Sequence, residues 1–287
     1  LICLTLLFQI SFTQILRSPI EWNSEKAFLD FPYCENTPAS QLFIYDDETK
    51  KTKHAVWVEN MGANSIMKNK GEEIHYSFKV ADGTWSYPKK VNAINGKINF
   101  PDSTLKSPAV LTDINGKVFI TWLAPGIIIS KNLEDLGTEL GTHDFRIAEV
   151  KNLAMQKVLN VKTQGLPKMR RDNSSGEFSG RIYVCWGDEK HGEKNKDIFL
   201  SYYDALNHHW VQPVLVTYRP NHKEQFNPDF CISPKTGMVY LLYYDRQNYY
   251  RGNFTDVYLA RGKSGGLNYD YLKLNDQPIP IDEKTFS

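Results

Sequence analysis

Four aspartates set the chemical question. Asp188 and Asp197 stand nine residues apart, Asp245 and Asp256 eleven, and each pair brackets a polar loop. If each loop joins two adjacent strands, both carboxylates of a pair lie at the same rim of a sheet. Carboxylates so placed can bind Ca²⁺, which takes several oxygen ligands, or accept hydrogen bonds from sugar hydroxyls. The same groups can instead cap loop amides or pair with Arg246, Lys190 or Lys196. Arg170, Arg171, Arg246 and Arg251 supply guanidinium groups, whose planar fork suits a carboxylate. Tyr249 and Tyr250 are the aromatic residues of the second loop expected to be exposed and to offer a stacking surface. The candidate ligand-binding set is therefore Asp188, Asp197, Asp245, Arg246, Asp256, Arg170, Arg171, Tyr249 and Tyr250. No cofactor is expected beyond calcium at Asp188, Asp197, Asp245 and Asp256.

Other chemistries find no support in the residues. His208 and His209 have no partner at zinc-ligand spacing, and there is no Gly-rich phosphate loop and no Gly-x-Ser-x-Gly. Of four cysteines, Cys34, Cys185 and Cys231 follow the apolar N-terminus. Their wide spacing is neither a disulfide framework nor a metal pattern. A Cys185–Cys231 bridge and buried free thiols both remain open. Asn173-Ser-Ser and Asn253-Phe-Thr are formal glycosylation sequons.

The elements that must position these groups repeat along the chain. Ala55-Val-Trp57-Val-Glu59, Ile120-Thr-Trp122-Leu-Ala124, Val184-Cys-Trp186-Gly-Asp188 and Leu242-Tyr-Tyr244-Asp-Arg246 are short β-prone runs centred on an aromatic. The aromatics at 57, 122, 186 and 244 are spaced by 65, 64 and 58 residues. Pro-led runs precede two of them: Pro108 to Asp113 leads through Asn115-Gly116, and Pro228 to Ser233 through Pro234-Lys-Thr-Gly237. Such dipeptides accept the positive φ of a hairpin turn. Third strands are predicted at Ile74–Ser77, Asp144–Ala148, Asp197–Ser201 and Asp256–Ala260. Fourth strands are predicted from Trp85, Trp210 and Tyr269. Residues 127–141 are expected as an insertion, with a short helix, between the second and third strands of the second repeat. Four strands per repeat of roughly sixty residues, all-β, is the pattern of a β-propeller blade.

At this point the sequence resembles the sialidase-like propellers that carry BNR, or Asp-box, repeats (Ser-x-Asp-x-Gly-x-x-Trp). Gly262-Lys-Ser264-Gly-Gly266-Leu-Asn-Tyr269, Ala81-Asp82-Gly83-Thr-Trp85 and Tyr203-Asp204-Ala-Leu-Asn207-His-His-Trp210 are degenerate copies at the corresponding turn. The resemblance covers roughly residues 38–276. It implies a structural box whose Asp bonds turn amides, and usually six blades, of which four are readable here, so the chain is read as incomplete. It also implies catalysis by three arginines, a Tyr–Glu pair and an Asp, roles to which no residue here can be assigned. Arg17-Ser-Pro is not taken as the family's first arginine motif.

Composition bounds the rest. With 34 basic and 33 acidic residues the net charge is +1, which leaves no basic excess for nucleic acid. Leu1–Thr13 is almost all apolar but too short to span a bilayer. It is read as a signal-peptide remnant before a propeller domain of residues 14–287, so export is expected without membrane insertion of the mature chain. The expected function is a secreted propeller that binds glycans or extracellular proteins through rim loops. An exo-α-sialidase and an adhesive repeat module are the alternatives. The sequence does not set an oligomeric state.

Overall fold

A computed structural model of the chain describes residues 39–60, 72–81, 83–92, 105–134, 139–151, 153, 156–192, 194–217, 223–263 and 265–282. All belong to the unit Thr37–Ser287. The expected signal segment, Cys3, Arg17, Cys34, Asp82 and Ser264 lie outside the described residues.

Every regular element among the described residues is a strand. The first blade comprises β1 (Ala39–Asp47), β2 (Thr52–Asn60), β3 (Glu72–Val80) and β4 (Lys89–Lys90), and the second β5 (Lys106–Thr112), β6 (Val118–Ala124), β7 (Ile127–Glu134) and β8 (Glu139–Glu149). A small hairpin, β9 (Lys157–Val158) with β10 (Val161–Lys162), follows. The third blade is β11 (Lys168–Arg171), β12 (Ile182–Asp188), β13 (Asp197–Asp204), β14 (His209–Trp210) and β15 (Val214–Leu215), the last two both pairing with β13. Pro213 has no N–H to donate, which explains this broken fourth strand. The fourth blade is β16 (Gln225–Ile232), β17 (Val239–Asp245), β18 (Phe254–Lys263) and β19 (Asn268–Lys273), with β20 (Ile279–Pro280) also on β18. All pairings are antiparallel.

Two expectations are corrected. The helical insertion expected at 127–141 is not what the described residues form: Ile127–Glu134 is β7, paired with β6, and residues 139–141 open β8. Pro125-Gly126, with Gly126 at φ 71, closes a tight hairpin, and the consecutive isoleucines that follow favour a strand. Asp144–Ala148 consequently belongs to the fourth strand of its blade, not the third. In the last blade the aromatic equivalent to Trp186 is Tyr243, not Tyr244. Each stands two residues before the aspartate that ends its strand, and Tyr243 is buried where Tyr244 is half-buried.

Blades bury apolar surface against one another. One core joins Val56, Ile74 and Tyr76 of the first blade to Val110, Ile120 and Trp122 of the second. A second joins Phe119 and Leu123 to Met169, Val184 and Trp186, and a third joins Tyr183, Cys185 and Leu200 to Phe230, Leu241 and Tyr243. β6 and β12 are buried along their whole length, as strands covered on both faces must be. The first strands β1, β5, β11 and β16 lie in succession, each in contact with the next. Cys185 and Cys231 are free thiols.

Candidate functional site

Register places the aspartate pairs directly. Asp188 lies opposite Asp197 and Asp245 opposite Asp256, at the rim where second strands end and third strands begin. First strands also begin at this rim, since Gln225 pairs with Asp245 and Lys168 with Cys185.

All four carboxylates are buried, with at most 1% exposure, and each is engaged by the protein. Asp188 accepts from the Lys151 amide at 2.9 Å, and burial raises its pKa. Asp197 lies 2.7 Å from His191 Nδ1. Asp256 accepts from Tyr249 Oη (2.9 Å), Asn248 Nδ2 (2.8 Å) and Asn275 Nδ2 (2.9 Å), with Lys273 Nζ at 3.0 Å. Burial opposes its ionisation, but these donors outweigh burial and lower its pKa. Asp245 takes the Gln247 amide at 2.7 Å and Gln225 Nε2 at 3.1 Å on one oxygen, while its other oxygen is buried without a donor. Burial, with Asp256 and Asp197 nearby, pushes its pKa up to about 7.

These groups fasten loops. The first blade carries a third pair that sequence reasoning missed, Glu59 opposite Glu73. His75 Nε2 lies 3.3 Å from one and 3.1 Å from the other. The His75 hydrogen bond, against burial and with help from Lys90, lowers the Glu73 pKa to about 2. The available signal was Glu59 two residues after Trp57, as Asp188 follows Trp186. In the second blade the opposed pair is Ala124 and Ile127, joined by a two-residue turn. In the third and fourth blades the carboxylates hold the loop between the two strands, and in the second, where the hairpin is tight, they are missing. Among the described residues no three His, Cys, Asp or Glu side chains form a set able to hold a metal ion. Each aspartate pair forms a clasp that spans the two strands of its own blade and is engaged by donors of the adjoining loops.

The cationic candidates divide. Arg246 is buried and pairs with Glu224 at 2.9 Å while donating to the Gly252 carbonyl, so it holds the 246–253 loop rather than facing a ligand. Arg171 lies at the opposite rim, donating to the Thr112 and Asp113 carbonyls. Arg170 is half-exposed, 3.6 Å from Asp229, whose other oxygen meets Lys168 Nζ at 2.9 Å. Tyr249 is bound to Asp256, and burial, then that carboxylate, raises its pKa to about 12. Tyr250 is exposed, with Lys223 Nζ 4.4 Å from its ring centre.

A second feature of this rim was not foreseen. Gln41, Ser107 and Asn227, each near the start of a first strand, have φ 53, 51 and 51, and a bulge interrupts the pairing of each strand there. Non-glycine residues in that region carry about 1–3 kcal/mol of strain. Side chains crossing between blades hold them: the Ser107 amide donates to Gln41 Oε1 (2.8 Å), Ser107 Oγ to the Pro167 carbonyl (3.0 Å), and the Gln164 amide to Asn227 Oδ1 (2.6 Å). The residue-proline steps Ser107-Pro108 and Asn227-Pro228 were the legible trace of this row.

Four-stranded antiparallel blades stacked through inter-blade cores, with first strands side by side, define a β-propeller fold. No protein-family model and no curated protein matches the chain. Solved structures do. An α-L-arabinanase of Penicillium chrysogenum complexed with arabinobiose superposes with a TM-score of 0.50 at 10% identity, over 82% of this chain and 66% of that one. The α-L-arabinofuranosidase Arb93A of Fusarium graminearum, with an iminosugar inhibitor, gives 0.50 at 14%, over 85% and 70%. The chain thus spans about two thirds of the length of either. What it shares with them is the β-propeller fold; these two are by name an arabinanase and an arabinofuranosidase, not sialidases.

Proposed function

We propose that this chain is an exported propeller that binds glycans at the rim where its first strands begin, and that its clasp aspartates do no hydrolysis. The observation that carries this reading is the strained row Gln41, Ser107 and Asn227, with Lys168, Asp229 and Arg170 on the neighbouring first strands. Strain kept at the same place in three blades points to a selected surface. A few convergent polar groups are also what sugar recognition requires. The buried clasp aspartates cannot touch a substrate, so catalysis through them is not proposed.

A second reading rests on the fold shared with glycoside hydrolases. It holds that the chain is part of a hydrolase whose catalytic groups are other than the clasp aspartates, either for arabinose-containing glycans or, as the resemblance of the degenerate boxes implies, an exo-α-sialidase. The test exposes the full secreted protein to a glycan array with sialosides and arabino-oligosaccharides, and to matching fluorogenic glycosides. Binding without turnover, weakened about tenfold (~1.4 kcal/mol) in Lys168→Met/Asp229→Asn protein of unchanged melting temperature, supports the first reading. Turnover of a sialoside or arabinoside establishes the second. Neither binding nor turnover leaves an adhesive repeat module.

A further inference from the structure

The rim opposite the proposed glycan site carries a surface of different chemistry. A cavity of about 260 Å³ opens there between the second and third blades. Its floor is aromatic: Phe119 and Tyr203 are buried and meet edge to face at 4.9 Å. On either side a hairpin turn presents an aliphatic residue to solvent, Ile114 at 57% and Leu206 at 91% exposure.

Neither turn is slack. Asp113 Oδ1 accepts from the Asn115 and Lys117 amides (2.8 and 2.9 Å), clamping the turn that carries Ile114. Asp204 accepts from the Leu206 amide at 2.9 Å, the Asn207 amide at 3.3 Å and Asn207 Nδ2 at 2.7 Å. An exposed leucine on a loose loop loses conformational freedom when it is covered. A leucine on a clamped turn has already lost its backbone freedom, which leaves less to lose on association. The lining also has a sign: Asp113, Glu177 and Asp204 contribute three carboxylates. The guanidinium of Arg181, the cation among the lining residues, stacks over the rings of Phe178 and Tyr202, 4.1 and 4.0 Å from their centres.

We propose that this cavity is a docking site for a partner protein, which inserts one large apolar side chain between Ile114 and Leu206 and sets flanking Lys or Arg residues against Asp113, Glu177 and Asp204. Charge complementarity selects this occupant. An apolar anchor fills a slot of this size, and basic flanks meet the carboxylates around it. The site is separated from the glycan rim by the length of the blades, so it would leave that rim free.

The experiment titrates the full chain with short labelled peptides having a central Trp or Leu between Lys and Arg residues. The same peptides with Glu and Asp flanks serve as controls, at low and moderate salt. The expected result is binding of the basic series alone, weakened by salt and reduced about tenfold in both Leu206→Ser and Ile114→Ser, whose exposed sites leave the melting temperature unchanged. The proposal is overturned by no binding, by equal binding of the acidic series, or by binding indifferent to both substitutions. Concentration-dependent dimerisation lost in Leu206→Ser would also overturn it, assigning the surface to a second copy of the chain.

Discussion

Asp245 is a buried carboxylate flanked by two others, with one oxygen lacking a donor. The adjacent Gln225 Oε1 is likewise a buried acceptor without a donor. A proton on Asp245 removes the charge and turns an orphan acceptor into a donor. Its folded-state pKa of about 7 stands well above the usual carboxylate range. The favourable contribution of this group is therefore complete below the unfolded value and is lost as pH rises towards about 7. Asp256, with a lowered pKa, contributes in the opposite sense: its stabilisation is present above the unfolded value and lost in acid. Asp245→Asn isolates the first effect. Its stability relative to the parent should grow between about pH 4 and pH 7, at up to ~1.4 kcal/mol per pH unit, and then level off. Denaturant unfolding at pH 5 and pH 8 measures the gap; an equal gap at both would show that Asp245 is not protonated in the fold. Of the residues named from sequence, the paired placement of the aspartates was legible, because strand pairing follows from the repeat. Their burial was not, because it depends on how neighbouring loops cover them.

The elements owe their positions to turns and close approaches. Gly165 belongs to the segment leading into β11, where a Cβ would come within 2.4 Å of the Gly187 carbonyl and 2.5 Å of Gln156 Oε1. Gly165 also accepts the Gly187 amide at 3.1 Å. Gly165→Ala must push that segment off β12. It should cost about 1–3 kcal/mol, the range for overpacking a tight site, read as a lower denaturation midpoint with an unchanged slope. No change in the midpoint would mean that the approach is slack. Strand content and blade period were legible from alternation and turn residues. The second blade was misread because Pro125-Gly126 shortens its central hairpin and shifts every later strand assignment within it. The bulges at Gln41, Ser107 and Asn227 escaped notice because a register shift of one residue leaves little trace in a strand's composition.

At the scale of the molecule, the clasps are held by the protein's own donors apart from one Asp245 oxygen, and no set of three His, Cys, Asp or Glu side chains able to hold a metal occurs among the described residues. Calcium should therefore add little: melting curves in millimolar Ca²⁺ and in chelator should agree within about 1 °C, since an ion with no folded-state site gives no linkage. A rise of several degrees would place a calcium site in the chain after all. The sequence by itself determined that the chain is all-β and built in four-stranded blades, because hydrophobic alternation, turn chemistry and a recurrent aromatic are local properties that repeat. Tertiary structure alone decided which polar residues face solvent. Arg246 and the clasp aspartates were drawn inward by Glu224, Gln225, Lys151 and Asn275, all distant in sequence, together with donors of their own loops. Gln41, Ser107, Asn227 and Asp229 were brought to one rim only when the first strands of successive blades packed side by side. Such packing sums contacts across the whole chain, and no single stretch of residues encodes it.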